Sequence, residues 1–402
     1  ESELTVAWVR EKARVESLPV ATSERGRPET RLLTTEMAKL VMRPGGEEVQ
    51  SVETLSPGRL EFVPSQPAHW KRVLTAERMT AQYGTANRLE TLRAFGKVHL
   101  RSDPPATLKG AAPRLTWSDD LQAGFDPASG DLRELRQWSN FRYQEGARQA
   151  VARGARFEVA SDRIALQEAA RVWDDTSRTA ADFLTLDQKQ DRFEAEGKVT
   201  STHQDQLTAK KKEPSQEGLF ASDRPVHATA HRLESRQGNR VLDYQGGARL
   251  WQEGSSIRAD RILVDRQAKT LTASGSVSSV LVEGEAPHER TVTITAGEMT
   301  YADDTRRAFY RGQVRLRRDR LAVRSSQLEA FLRPPGEAAE GQSRLERALA
   351  QGRVEVLETG IDARLARRGY AEQAEYLPGQ ERVTLRGGFP TVEQPERGFT
   401  RG

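Results

Sequence analysis

Apolar and polar positions alternate along most of this chain, which is strand periodicity, and the alternation slips by one place at intervals. In Ser256-Ile257-Arg258-Ala259 the inward positions are odd-numbered, whereas in Ile262-Leu263-Val264 they are even. The same slip separates Ile294/Ala296 from Met299/Tyr301, Ala228/Ala230 from Leu233, and Thr179/Ala181 from Leu184/Leu186. Each slip follows a small residue, and sixteen positions after that residue stands a glycine: Ala181/Gly197, Ala230/Gly246, Ala259/Gly275, Ala296/Gly312 and Ala371/Gly387. Between them lie polar or turn-forming segments such as Asp265–Lys269, Ala302–Arg306 and Leu377–Glu381, so each interval reads as a hairpin.

Counted from the small residue, opposed positions should sum to 17, which sets Ile262 against Ala273 and Val264 against Leu271. Beyond the slip the expected sum is 16, with Ala259 against Gly275, Ile257 against Val277 and a β-bulge on the outgoing strand. Glycine supplies the bend and leaves room. Repeats of this kind bury their inner face only against neighbours. The predicted fold is all-β: an elongated, V-shaped β-jellyroll of stacked, creased antiparallel hairpins enclosing an apolar groove. The five small residues and five glycines form its crease. Leu184, Leu186, Leu233, Ile257, Ile262, Val264, Leu271, Val277, Ile294, Met299, Tyr301, Tyr310 and Val314 face its inside. They either line a ligand groove or close on each other as dry core. Phe309 has the wrong parity and is expected to face outward.

Looser copies stand at Thr34-x-x-Met37 with Gly58, Ala76-x-x-Met79 with Gly96, Ser118-x-x-Leu121, Ser161-x-x-Ile164, and Ser325-x-x-Leu328 with Gly352. The copies at Ser118 and Ser161 lack the glycine. Ten units, two strands each, would stack to a trough on the order of 90 Å at about 4.8 Å per strand. The chain divides into an N-terminal segment without clear pattern (1–30), irregular units (31–178) and regular units (179–402). Breaks at 103–114, 204–225 and 283–289 fall between units and should gather on one edge, while 333–342 lengthens a hairpin.

Composition supports a thin, extended core. Of 402 residues, 36% are hydrophobic and 30% charged, too little apolar material for a large compact interior. The formal charge is only +4, from 62 basic and 58 acidic residues, so the exterior is mixed and nucleic acid is not an expected partner. The run Lys210-Lys211-Lys212 reads as a solvated loop. Cysteine is absent, which excludes disulfides and thiolate metal sites and leaves the compartment open. No apolar run approaches a membrane helix.

The units Ile257-Arg-Ala-Asp-Arg-Ile262 with Leu271-Thr-Ala-Ser-Gly-Ser-Val277, and Ile294-Thr-Ala-Gly-Glu-Met299 with Gly312-Gln-Val314, resemble the OstA-like family, the lipopolysaccharide-transport bridge proteins of Gram-negative bacteria. The likeness is clearest from 179 to 402 and weaker back to Arg31. It implies a periplasmic jellyroll that carries lipopolysaccharide or a related glycolipid by its acyl chains from inner to outer membrane, and the start at Glu1 without methionine leads us to expect that a targeting or membrane-anchoring segment has been removed. The likeness also implies edge-strand pairing with other jellyroll transport components and contact with inner- and outer-membrane transport complexes, with neither cofactor nor catalysis. This chain holds more units than one family domain usually does.

The residues support lipid carriage on their own account. A continuous apolar inner face is too exposed for water unless something occupies it, and an acyl chain gains roughly 0.8 kcal/mol per buried methylene. Rival chemistry is thin. His69, His99, His203, His227, His231 and His288 show no metal spacing except His227-x-x-x-His231, which would lie on a strand, where the two rings do not converge as on a helix. Asp174-Asp175 and Asp303-Asp304 fall in turns. A carbohydrate-active β-helix would need an acid cluster on one sheet face, yet Asp260 and Glu298 stand beside basic neighbours. A transmembrane barrel would not carry Arg258, Asp260, Arg261 and Arg315 outward. The remaining alternative is an adhesin-like scaffold with a sealed core.

Overall fold

The computed structural model describes residues 3–18, 29–128, 130–204, 220, 224–283, 290–333, 344–359, 366–394 and 398–401. The chain forms two compact units, Glu1–Ala195 and Glu196–Gly402. The first holds β1 (Val6–Ser17), β2 (Glu29–Met42), β3 (Val49–Thr54), β4 (Gly58–Pro64), β5 (Lys71–Ala76), β6 (Arg78–Tyr83), β7 (Leu89–Asp103), β8 (Arg114–Phe125), β9 (Leu132–Glu145), β10 (Arg148–Glu158), β11 (Arg163–Trp173) and β12 (Ser177–Asp187), while β13 (Arg192–His203) crosses the boundary. The second holds β14 (Val226–Arg236), β15 (Val241–Gln252), β16 (Ser255–Asp265), β17 (Thr270–Glu283), β18 (Arg290–Ala302), β19 (Arg307–Arg318), β20 (Leu321–Leu332) and β21 (Leu345–Glu358). It ends with β22 (Arg367–Leu377), β23 (Arg382–Arg386), β24 (Thr391–Gln394) and β25 (Gly398–Arg401). The long strands pair antiparallel with their neighbours in sequence, as in β7–β8–β9 and β14 through β22.

The fold class is as the periodicity predicts: all-β, antiparallel and creased. The hairpin β16–β17 pairs Ile262 with Ala273 and Val264 with Leu271, the predicted register. Beyond the crease the register departs from expectation. Ile257 pairs with Ser279 and Arg258 with Ser278, so the sum counted from Ala259 rises to 18 instead of falling to 16, and neither Ala259–Gly275 nor Ile257–Val277 is a pair. The extra residue therefore lies on the returning strand, in Gly275-Ser276-Val277, and not on the outgoing one. The same shift, 17 to 18, recurs in β14–β15 and β18–β19.

The physical reason is a pair of left-handed residues on every second long strand. Gly275 and Ser276 have φ of 76° and 50°, Gly312 and Gln313 82° and 49°, and Gly352 and Arg353 78° and 50°. Against the following strand the pair faces a single residue, Glu298/Ser274 giving way to Ala296/Val277. Two residues opposite one is a β-bulge. The outgoing strand meanwhile changes face, with Asp260 and Arg261 both exposed between buried Ala259 and Ile262, which is the parity slip seen in the sequence. Where the glycine is missing the conformation persists: Glu11-Lys12, Ser139-Asn140 and Glu168-Ala169 all have φ between 52° and 66°. The copy expected at Ser161 is misplaced, because Ser161 stands in the turn before β11; the crease there is Ala152-Arg153 opposite Glu168-Ala169-Ala170.

In the first part of unit 1 the crease interrupts the strands. β2 pairs with β4 on one side of it and β3 on the other, and β7 likewise with β5 and β6. Side chains replace the missing ladder bonds: Met79 N–H donates to Thr54 Oγ1 at 2.8 Å, and Met37 N–H to Ser56 Oγ at 3.0 Å. The expected copy at Thr34 with Gly58 is likewise displaced, since Thr35 is the buried residue at the bend. Of the predicted loops, 103–114 is described; most of 204–225, with Lys210–Lys212, and nearly all of 283–289, with His288, and of 333–342 lie outside the described residues.

Candidate functional site: the apolar interior

The crease turns one face of every strand inward, and in unit 2 the register joins these faces into rows running across the strands. One row passes from Leu233 through Tyr244, Ile262, Ala273, Met299 and Tyr310 to Leu328, and on through Ala350 and Ala374 to Leu385. That is ten strands with no charged or amide side chain, on the order of 40 Å at about 4.8 Å per strand. On the other limb of the crease a second row includes Leu250, Ile257, Ile294, Leu316 and Val323.

The predicted inner residues lie on these faces. Ile262, Ile294 and Met299 have no exposure, and Leu184, Leu233, Ile257, Leu271, Val277, Tyr301, Tyr310 and Val314 are buried, while Leu186 and Val264 are half-buried. The two limbs are closed on each other. Full burial of such side chains is worth roughly 1.5–3 kcal/mol each. Ala181, Ala230, Ala259 and Ala296 are buried at the bend and Ala371 half-buried, and Gly197, Gly246, Gly275, Gly312 and Gly387 are each the first residue of a left-handed pair. The side chain after the small residue covers the glycine: a Cβ on Gly275 would lie 2.2 Å from Asp260 Oδ2, and one on Gly246 2.7 Å from His231 Cβ.

Sequence patterning did not reveal the polar bonds that cross the interior. Tyr244 precedes the bend on its strand and Ser201 follows the bend on its own, yet Tyr244 Oη and Ser201 Oγ are 3.0 Å apart. Arg318, on the far limb and only 6% exposed, donates from Nη1 to Tyr376 Oη at 2.7 Å on the near limb. These bonds tie limb to limb. Burial pushes the Tyr244 phenol above its ordinary value although the Ser201 bond works against this, and burial pushes Tyr310 up to about 12. Both phenols are neutral at any physiological pH.

Outside, charges pair. Arg261 grips buried Asp243 through Nε and Nη2 at 2.8 and 2.7 Å; burial works to raise this carboxyl, but Arg261 and Gln245 bring it below its usual value. Phe309 faces outward as expected, with Arg311 4.7 Å from its ring centroid. The predicted turn acids serve their turns: Asp174 accepts from Thr176 and Ser177, and Asp303 from Tyr301. His227 stacks on Trp251 and meets Thr202 Oγ1 at 3.0 Å, whereas His231 lies at the bend over Gly246. Among the described residues no cluster of His, Cys, Asp or Glu is arranged to hold a metal ion, and no helix is long and apolar enough to cross a membrane.

Creased antiparallel strands stacked around a mainly apolar interior place the protein in the β-jellyroll class. Residues 191–270 and 293–399 match the family described as LptA/(LptD N-terminal domain) LPS transport protein, in accord with the resemblance carried by the repeats. Among solved structures it is similar to that of LptH, the LptA homologous periplasmic component of the lipopolysaccharide transport device from Pseudomonas aeruginosa, with 13% identity, 32% of this chain and 82% of the other covered, and a TM-score of 0.26. No curated protein matches the chain.

Proposed function

We propose that the interior rows carry the acyl chains of lipopolysaccharide or a related glycolipid through the periplasm, from the inner toward the outer membrane, with no bond made or broken. The observation that carries this reading is the ten-strand row from Leu233 to Leu385. No position on it carries a charge or an amide, so an acyl chain meets an aliphatic or aromatic side chain at each strand and gains roughly 0.8 kcal/mol per buried methylene. The interior is closed at rest, so loading parts the two limbs and exchanges side-chain contacts for lipid contacts. The polar ties Ser201–Tyr244 and Arg318–Tyr376 set how readily they part. Other jellyroll components of the transport machinery would join by strand addition at β1 and β25, each of which pairs with one strand among the described residues.

The test is photocrosslinking of the full chain to lipopolysaccharide from a probe at Ile262 and, as control, at exposed Asp260. Crosslinks at Ile262 alone are expected. Ile262→Glu and Met299→Arg should abolish loading while far-UV β content persists. An absence of crosslinks in folded protein would overturn the proposal in favour of a sealed scaffold.

A further inference from the structure

Two of the exposed aromatic rings among the described residues, Trp8 and Phe389, are capped by cations. Lys39 lies over Trp8 at 5.4 Å, and Arg401 over Phe389 at 4.6 Å; half-buried Trp251 and Phe309 have Arg249 and Arg311. Such contacts hide the ring face from other partners. Phe95, Trp138 and Phe183 are 40%, 37% and 49% exposed, and among the described residues no cation covers any of them.

All three stand on one row of unit 1. Phe95 pairs with Asp120, Asp120 with Trp138, Trp138 with Gly154, Gly154 with Gln167 and Gln167 with Phe183. The row is the outward one next to the bend. At about 4.8 Å per strand, Trp138 lies roughly 10 Å from Phe95, and Phe183 roughly 14 Å further on. The fold does not require rings there. The same row in unit 2 carries Gln245, Arg261, Ser274, Glu298, Arg311 and Gln327. Nor does it require glycine at 154, where a Cβ would make only ordinary contacts, 3.5 Å from Gln137 O and 3.7 Å from Trp138 Cβ. The missing side chain leaves the strip beside Trp138 flat.

We propose that this row is a platform for a linear polysaccharide of β-linked pyranose units, laid along the row and so across the strands. Such a chain is a flat ribbon whose sugar faces present axial C–H groups that stack on aromatic rings, while hydroxyl and acetamido groups at its edges seek hydrogen bonds. Rings separated by Asp120 and Gln167, with Arg93, Gln122 and Arg136 on the next outward row, match that alternation. An apolar protein face or a bilayer matches it poorly, because either would bury the Asp120 carboxylate and the Gln167 amide without partners. The platform is on the outer surface, and lipid carriage inside does not depend on it.

The test is co-sedimentation of the full chain with insoluble chitin and with insoluble peptidoglycan. The wild-type protein should pellet with at least one of them. Trp138→Gln should weaken binding at least tenfold and Phe95→Gln and Phe183→Gln several-fold each, whereas Phe309→Gln should leave it unchanged. Glutamine is what unit 2 already holds on this row, so the variants should fold, which thermal melting verifies. Wild-type protein remaining in the supernatant with both polymers, or pelleting unaffected by the three substitutions, would overturn the proposal. So would loss by these variants of vesicle binding or self-association in place of glycan binding, which would make the row an apolar docking face. Lipid crosslinking at Ile262 should be the same in all of them, which keeps the two readings separate.

Discussion

Gly275 sits where two constraints meet: a left-handed backbone, φ 76°, and the Asp260 side chain lying over its bare face. Alanine satisfies neither. A carboxylate can rotate away from an added Cβ, but Asp260 Cβ, 2.8 Å away, moves only with its strand. Gly275→Ala should therefore cost about 2–3 kcal/mol of stability, the sum of left-handed strain and displacement, measured by urea unfolding. At Ala169 the reverse holds. It is exposed, has φ 52° and keeps the bulge without glycine's freedom, so Ala169→Gly should stabilise by about 0.5–1 kcal/mol. His99 gives a pH signature. Its ring stacks on Trp117, and partial burial, with Arg101 beside it, holds the imidazole below its ordinary value. The unfolded chain then binds the proton more readily than the folded one, so this contribution is complete above about pH 6.5 and is lost as pH falls through that value toward the depressed one. Stability should drop between pH 7 and 5, and His99→Gln should flatten that slope.

At the scale of strands, the sixteen-residue interval and the slip in alternation were enough to place the hairpins and the near-side register, Ile262 with Ala273 included. They were not enough to place the bulge. Burial parity changes on the outgoing strand, at Asp260-Arg261, whereas the surplus residue belongs to its partner, and parity along a single strand does not show how many residues stand opposite. Ser161 misled because a small polar residue before Ile164 suits a turn as well as a bend. The row of Phe95, Trp138 and Phe183 was illegible for a different reason: it is composed across six strands, and only the full register brings these residues into line. The ties between limbs were hidden in the same way. Tyr244 looks like an ordinary inner aromatic until Ser201 is placed opposite. Tyr244→Phe should lower stability by about 1 kcal/mol, the usual worth of one such bond, and should speed lipid uptake, since one of the contacts resisting separation is gone. Stopped-flow association with a fluorescent lipid measures the second effect.

Over the whole chain the charges nearly cancel, 62 basic against 58 acidic. Paired exterior charges such as Arg261 with Asp243 keep a strand-rich surface in water without giving it a strong field of one sign. The resemblance of its repeats to a transport family was visible from the sequence because the bend dictates residue type, small on one strand and glycine on the next, wherever it recurs. The bend also has a consequence for size. Long strands bearing the small residue alternate with partners bearing the left-handed pair, so the pattern of the bend repeats every two strands. Removing or adding one strand would set two strands of the same kind side by side at the bend; removing or adding two would keep the alternation. The protein's reach is thus quantised, and lineages or engineers can lengthen it only as one extends a ladder, by whole modules of two rungs.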